Sequence, residues 1–278
     1  MRILLPITAP AALVLLVACG TSAPAPPGGL AFDVPSPPTA TYTIGDSLEL
    51  SVDSPMGSLA MKRSSAVTLA MSFARVAEGL RVTAEVEGFE ASMTNPMSAP
   101  VSADVGDVTG SLIFDVGPTG KVEPVSTPTV SGSGAQLGSF VSLAHEFFPR
   151  LPGRVVNRGD SWVDTVSWSG GDGGAEVSTT TIYTYTLVGD TVSEGISLLR
   201  ISVAGDVETD ISVEMDGMQV DQSLTGSTTG DAYWDVDRNL LHSSDLGRSM
   251  TGTVSLPAMG LPPMPIKASG PVRTRIQR

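Results

Sequence analysis

Apolar and polar residues alternate along most of the chain after Thr43. Apolar side chains occupy every second position in residues 48–52, 67–73 and 80–86. Partial alternation resumes from residue 162 and includes two separate runs at 196–203 and 207–215. Because successive side chains of a strand point to opposite faces, each run predicts a strand with one buried and one solvent-facing side. The predicted fold class is mainly β, with antiparallel meanders that form a curved sheet or a sandwich-like or barrel-like domain.

One stretch follows a helical period instead. Five apolar residues recur at the spacing i, i+3, i+4, i+7 and i+11, which places them on one helix face: Leu137, Phe140, Val141, Ala144 and Phe148. Pro149 disfavours helical geometry at Phe148, so the helix is expected to end there. We therefore predict one bridging α-helix within residues 134–149, whose apolar face packs on a sheet that contains Trp162.

Short sequence blocks match in the same order on the two sides of this helix. The matches are Gly45-Asp46-Ser47-Leu48 with Gly159-Asp160-Ser161-Trp162, Glu78-Gly79-Leu80 with Glu194-Gly195-Ile196, and Phe114-Asp115-Val116 with Trp234-Asp235-Val236. The pattern predicts a duplicated β-meander, with a first repeat at 42–133 and a second repeat at 150–278. The second repeat is expected to end in an edge strand over 272–276. Each Gly-Asp pair is expected to form a turn at the start of a strand. Because Gly-Asp pairs are common in β-turns, the alternative explanation is that the matches arose by chance.

The N-terminus has the features of an export signal. Arg2 precedes an apolar run over 7–17, and the tetrad Leu16-Val17-Ala18-Cys19 follows. This tetrad resembles the lipobox of bacterial lipoproteins, which implies cleavage after residue 18 and lipidation of Cys19. The proline-rich residues 20–41 are expected to form an extended tether between the lipid and the domain. The alternative is that Cys19 is a buried free thiol.

Composition narrows the classes of partner. Cys19 is the only cysteine, which excludes an intramolecular disulfide and a CxxC metal or redox site. Loss of Arg2 with residues 1–18 lowers the 16 basic residues to 15 against 29 acidic residues, a formal net charge of −14. Such a surface repels nucleic acid and anionic headgroups, so nucleic acid is not an expected partner and membrane attachment is expected through Cys19. Gly20, in place of Asp, favours the outer membrane over the inner membrane.

Two longer stretches carry a further resemblance. The sequences FFPRLPGRVVNRGDSW and GDAYWDVDRNLL resemble those of uncharacterised bacterial envelope lipoproteins, a group that implies no activity. At the level of fold, the chain is similar to periplasmic lipoprotein carriers, which implies a curved sheet closed by helices around an apolar cavity. Such carriers have several helices, whereas one is predicted here. Four aromatic residues are the expected lining of such a cavity: Phe73, Phe140, Trp162 and Trp234.

The motif Gly45-Asp46-Ser47-Leu48 also matches the nucleophile block of GDSL hydrolases. An esterase would use Ser47 or Ser161 with His145 or His242 as its base. The residue three positions before His242 is Asn239, where that family has Asp, and a strand rather than a helix is predicted after Ser47. We therefore predict no catalytic residue, no metal site and no cofactor.

The sequence predicts a lipid-anchored protein of the bacterial cell envelope with a non-catalytic binding or envelope-assembly role. A carrier or sensor of a lipid or other apolar ligand, held in the curved sheet, is the alternative, and a GDSL-like esterase is the least favoured one. Its expected partners are the membrane, through Cys19, and an apolar ligand or an envelope protein.

Overall fold

The protein is a curved antiparallel β-sheet with one α-helix, as the alternation predicts. The computed structural model describes residues 29–54, 57–96, 98–132, 137, 140–171, 175–215 and 218–277. The elements are β1 (Thr39–Ser54), β2 (Gly57–Val76), β3 (Gly79–Asn95), β4 (Ser98–Asp104), β5 (Val108–Thr109), β6 (Leu112–Val116), β7 (Val122–Ser126), β8 (Thr129–Val130), α1 (Phe140–Glu146), β9 (Ser161–Gly170), β10 (Ala175–Ser193), β11 (Ile196–Met215), β12 (Met218–Asp235), β13 (Leu240–Ser255) and β14 (Met264–Gln277).

The main sheet follows the order β7-β6-β3-β2-β1-β14-β13-β12-β11-β10-β9, while β4 pairs with the far end of β3 and β5 pairs with β8. Neighbours along this path are antiparallel. The first and last strands of the sequence, β1 and β14, therefore meet in the middle of the sheet. Its two edges, β7 and β9, are the strands of this sheet that come before and after α1 in the sequence, with the short strand β8 between β7 and α1. The sheet curves into a half-barrel with an inner and an outer face.

Glycines allow the strands to approach closely where the sheet bends. A Cβ atom added to Gly252 or to Gly270 would lie 1.8 Å from the carbonyl oxygen of Ser223 or of Ser47 on the neighbouring strand. No side chain fits at that distance, so these positions require glycine. The β1–β14 ladder also lacks pairs at Ser47 and Leu48, opposite Pro271, which has no N–H to donate.

Helix α1 lies on the inner face and contacts both edges of the sheet. It packs on β6 and β7 on one side and on β9 on the other. The Phe140 ring lies 5.8 Å from that of Phe89, and the side chain of Val141 lies against Gly170 of β9. The helix therefore fills the gap that the half-barrel leaves open between its edge strands. The expected burial of Phe140, Ala144 and Phe148 is found, whereas Val141 is half-buried.

The helix is shorter than the predicted span of 134–149. It covers Phe140–Glu146, and residues 134–136, 138 and 139 lie outside the described part. Phe147 and Phe148 follow the helix but remain buried, because both rings pack among the aromatic side chains of the inner face. The helix therefore ends at Glu146, two residues earlier than the end at Phe148 that Pro149 predicted.

The last part of the predicted tether, from Gly29 onward, belongs to the domain. Leu30 and Phe32 are buried, and the Leu30 amide donates a 3.0 Å hydrogen bond to the carbonyl of Arg154. The Phe32 ring lies 5.0 Å from Trp234 in an edge-to-face contact. Residues from Gly29 onward therefore belong to the domain, because two apolar side chains within a polar stretch find a place in its core. The predicted lipidation site, Cys19, and the signal peptide, residues 1–18, lie outside the described residues.

Three further predictions about strands were wrong. The C-terminal strand is not an edge strand, because β14 pairs with β13 on one side and β1 on the other. Gly45-Asp46 lies within β1 rather than in a turn, whereas Gly159-Asp160 does precede β9. Two strands predicted in the region of β11 are one continuous strand of 20 residues.

Candidate binding site

The four aromatic residues predicted to line a cavity lie in one apolar core at the α1 end of the inner face. Phe73, Phe140 and Trp234 are buried, and Trp162 packs against the same core. Trp162 stacks on Tyr185 at 5.7 Å, and its Nε1 donates a 2.9 Å hydrogen bond to the carbonyl of Arg150. Phe73 borders a recess of about 10 Å³, which is at the lower limit for one water molecule.

A second, smaller apolar group lies near the other end of the strands. This distal cluster consists of buried Val52, Leu224, Val254 and Ile266, bordered by Leu50, Met61, Val220, Met250 and Met264. Val52 lies ten residues along β1 from Tyr42, which is roughly 33 Å in a strand. Helix α1 packs on β6, β7 and β9 instead, and the short 3-10 helix Pro257–Met259 contacts β12.

Charged side chains occupy the inner face between the two apolar regions. Asp46 of β1 forms ion pairs with Arg63 of β2, at 3.3 Å, and with Arg248 of β13. The three side chains keep 18%, 33% and 23% of their surface exposed, in the order Asp46, Arg63, Arg248. We call these three residues, together with Glu146 of α1, the inner charge cluster.

Arg248 reaches Asp46 across an intervening strand. β14 separates β13 from β1, and Gly270 of β14 lies directly opposite Arg248 in the strand register. Because Gly270 has no side chain, the arginine can pass over its backbone toward Asp46. The glycine that permits the bend of the sheet therefore also opens the path for this ion pair.

Glu146 brings a second carboxylate to the cluster from the last residue of α1. Its Oε1 accepts a 3.0 Å hydrogen bond from Nε1 of Trp168, and the neighbouring His145 ring stacks on the same tryptophan at 6.1 Å. Glu146 is exposed by surface area, although it lies on the concave side of the sheet, where the surrounding protein displaces much of its water. The resulting loss of water raises its pKa, as does nearby Asp46, while the Trp168 hydrogen bond and the Arg248 charge act in the opposite direction.

A second buried arginine lies beside this cluster, after α1. Arg150 is 4% exposed and its Nε lies 3.6 Å from a carboxylate oxygen of Asp164 on β9. Burial lowers the pKa of the Arg150 guanidinium. Among the described residues, two buried side-chain N–H groups find no hydrogen-bond partner, Nη1 of Arg150 and Nε of Arg248. Both belong to the inner face, which therefore carries unused hydrogen-bond donors for an anion.

The serines and His145 of the esterase hypothesis face opposite sides of the sheet. Ser47 alternates with inward-facing Asp46, and it lies opposite Ser64 in a row of small polar residues on the outer face. Ser161 Oγ is 2.8 Å from Thr186 Oγ1, also on the outer face. His145, in contrast, stacks on Trp168 inside the half-barrel. Among the described residues, no cluster of three His, Cys, Asp or Glu side chains is suited to hold a metal ion.

A wide recess with both polar and apolar lining lies across the distal ends of β9–β13. Its volume is about 860 Å³, and Ser178, Asp210 and Ser223 are among its lining residues. These three side chains alternate with inner-face residues of their strands, so they point to the outer face. Val177 and Ile211 also line it and alternate with Ser178 and Asp210, so the recess is lined from both faces of the sheet.

The sequence analysis missed the inner charge cluster, although a signal for it exists. Asp46 lies between Ile44 and Leu48 at the inward-facing positions of β1, and Arg248 lies between Leu246 and Met250 on β13. A charged residue at an inward-facing position, where alternation predicts an apolar one, usually has an oppositely charged partner. Such an interruption of the pattern identifies both residues, but their proximity depends on the pairing of β1 with β14.

No protein-family model matches the chain, and a search of curated proteins finds no match. Within the described residues, no helix has the length and apolar character needed to cross a membrane. The inner face and its charged groups therefore have to be interpreted from their own chemistry.

Proposed function

We propose that the chain is a lipid-anchored protein of the bacterial cell envelope that binds a ligand or an envelope partner without catalysing a reaction. The observation that supports binding is the inner face of the half-barrel, where α1 fills one end and the distal cluster and inner charge cluster occupy the rest. Concave surfaces that combine apolar area with a few placed polar groups are typical of ligand sites.

Lipidation at Cys19 would place the α1 end of the domain close to the membrane. The domain begins by Gly29, ten residues after Cys19, and a fully extended chain of that length spans at most about 35 Å. Leu30 and Phe32 join the domain beside the segment that follows α1. The gap between the edge strands would then face the lipid surface.

A second candidate function is the carriage of a lipid or another apolar ligand. The specific observation in its favour is that one short helix closes the gap between β7 and β9 and contacts both sides of it. Movement of seven helical residues is a small change compared with opening a sheet, whose strands are joined by continuous hydrogen bonds. In this function, a ligand enters where α1 lies.

The binding proposal is tested by native mass spectrometry of the chain without residues 1–18, purified from a bacterial host and compared before and after organic extraction. All described contacts of the fold lie within residues 29–277, so this chain keeps them. We expect an extractable lipid or other apolar molecule in stoichiometric amounts for a carrier. Ligand-free protein that binds no added lipid would rule out the carrier and leave a role in envelope assembly.

The anchor is tested separately by fractionation of cells that express the full chain. We expect the unaltered protein in the membrane fraction and the Cys19→Ala variant in the soluble envelope fraction or uncleaved. Fractionation of a correctly cleaved Cys19→Ala chain with the membrane would contradict the lipid anchor. The matched control is Thr21→Ala, which changes a nearby small residue and leaves Cys19 in place.

A further inference from the structure

The inner charge cluster is balanced only while α1 is in place. Asp46 is one carboxylate between two guanidinium groups, those of Arg63 and Arg248. Glu146, the last residue of α1, brings a second negative charge that interacts electrostatically with Arg248. If α1 leaves the inner face, the sheet retains an excess of one positive charge at this position. A site of this kind attracts an anion.

Arg248 also has hydrogen-bonding capacity that its neighbours do not use. Its Nη2 contacts Asp46, while its buried Nε has no partner among the described residues. A guanidinium group donates in a fixed fork that suits the two oxygens of a carboxylate or phosphate. An anionic oxygen beside Arg248 would satisfy a donor whose burial without a partner is otherwise unfavourable.

Apolar side chains lie next to these arginines on the distal side. Met250 is the next inward-facing residue after Arg248 on β13, and Met61 occupies the corresponding position beside Arg63 on β2. Both methionines border the distal cluster. Methionine is flexible and polarisable, so it can repack around an apolar group of variable shape. The inner face therefore presents a cationic position followed directly by an adaptable apolar one.

We propose that Arg248, together with Arg63, binds the anionic group of an amphipathic ligand, whose apolar part lies on the distal cluster, and that Glu146 occupies this position when the ligand is absent. The ligand class is a carboxylate or phosphate attached to an apolar chain. This inference rests on the second candidate function, in which the inner face receives an apolar ligand through the gap at α1.

The test uses two lipids that differ by one phosphate group. The chain without residues 1–18 is titrated with 1-oleoyl-lysophosphatidic acid and with 1-oleoylglycerol, and inorganic phosphate serves as the anion without a chain. We expect the phosphate-bearing lipid to bind more tightly than the neutral one. Arg248→Met should weaken binding of the phosphate-bearing lipid by about 10- to 100-fold, because a charge-assisted hydrogen bond is lost. The affinity for 1-oleoylglycerol should stay unchanged. Arg200→Met is the matched control, since Arg200 pairs with Asp231 on the outer face.

The outcomes separate this inference from the function on which it rests. Equal binding of both lipids, with no effect of Arg248→Met, would overturn the anion site and retain the carrier. Binding of neither lipid would overturn both. Inorganic phosphate that binds as tightly as the phosphate-bearing lipid would overturn the role of the apolar chain. If Arg248→Met does not fold, Glu146→Gln decides: tighter binding of the phosphate-bearing lipid supports competition with Glu146, and unchanged or weaker binding contradicts it.

Discussion

The two ends of the inner face belong to the same sheet, yet they are filled in different ways. At the α1 end, Phe32, Phe147 and Phe148 reach the sheet from outside the strands and complete a large aromatic core. At the distal end, the buried side chains come from the strands themselves, and methionines border them. The α1 end therefore contains most of the buried core, whereas the distal end contains a small buried cluster bordered by partly buried methionines.

The largest expected effect is at the α1 end. Phe148→Ala should lower the free energy of unfolding by about 3–5 kcal/mol, the usual range for removal of a buried phenylalanine ring. Phe148 lies 5.2 Å from Phe32, 4.6 Å from Phe147 and 6.3 Å from Phe114, measured between ring centres. Equilibrium unfolding in urea measures the change. Val163→Ala, at a 64% exposed position of β9, is the control and should change stability by less than about 0.5 kcal/mol.

A smaller loss is expected in the distal cluster. Ile266→Ala should lower the free energy of unfolding by about 2–3 kcal/mol, because a smaller side chain is removed from a smaller cluster. Ile266 is 2% exposed, the same fraction as Phe140 in the α1 core. The same urea titration applies. A loss equal to that of Phe148→Ala would show that the two ends contribute alike and would remove the contrast drawn between them.

Loss of a carboxylate should cost more stability in the ion pairs of the inner face than in those of the outer face. Asp46→Asn should cost about 1–3 kcal/mol in the free energy of unfolding, because it leaves Arg63 and Arg248 without their carboxylate inside the half-barrel. Asp245→Asn is the matched change on the outer face, where Asp245 is 47% exposed and pairs with Arg273 and Arg275. It should cost less than about 1 kcal/mol. Equal costs would indicate that water reaches both networks equally.

The smallest effect is a pH dependence at Glu146. Its pKa is raised in the folded protein by loss of water, so the folded state holds this proton more strongly than the unfolded state. The contribution to stability is therefore present below the unfolded pKa and is lost as pH rises through the folded value. The Glu146→Gln variant should have a higher free energy of unfolding than the parent at about pH 7, and this difference should be smaller at about pH 4.

Urea midpoints of the two proteins at both pH values give this difference. The two proteins differ only at residue 146, so the comparison reports the effect of that side chain. A difference that is constant with pH, or that shrinks as pH rises, would contradict the placement of Glu146 within the concave side of the sheet.

Local patterns predicted most strands but not their neighbours. Alternation identified β2, β3 and β10 because each of them has one buried and one wet face. It could not show that β14 pairs with β1, since that contact joins the two ends of the sequence. The predicted edge strand at 272–276 is instead central, and the β1–β14 ladder is interrupted next to Pro271, which has no N–H to donate. The inner charge cluster was missed for the same reason, because Asp46 and Arg248 meet only across β14.

The duplication remains a prediction, with one feature of the strand order in its favour. β1-β2-β3-β6-β7 and β9-β10-β11-β12-β13 are two five-strand meanders with the same sequence of pairing. Gly79 and Gly195, a matched pair of the proposed repeat, open β3 and β11 at equivalent hairpins, and both have positive φ. β14 has no counterpart in the first half, and it joins the two meanders through β1.

The most direct test of the binding account is a disulfide between α1 and the edge strand β9. An ideal Cβ atom on Gly170 lies 3.7 Å from Cβ of Val141, within the range of disulfide geometry. In the chain without residues 1–18 and with Cys19→Ala, Val141→Cys with Gly170→Cys should form this bond on oxidation. We expect the oxidised protein to take up 1-oleoyl-lysophosphatidic acid far more slowly than the reduced one, with full recovery after reduction. Equal uptake rates in the two states would contradict entry of the ligand at α1.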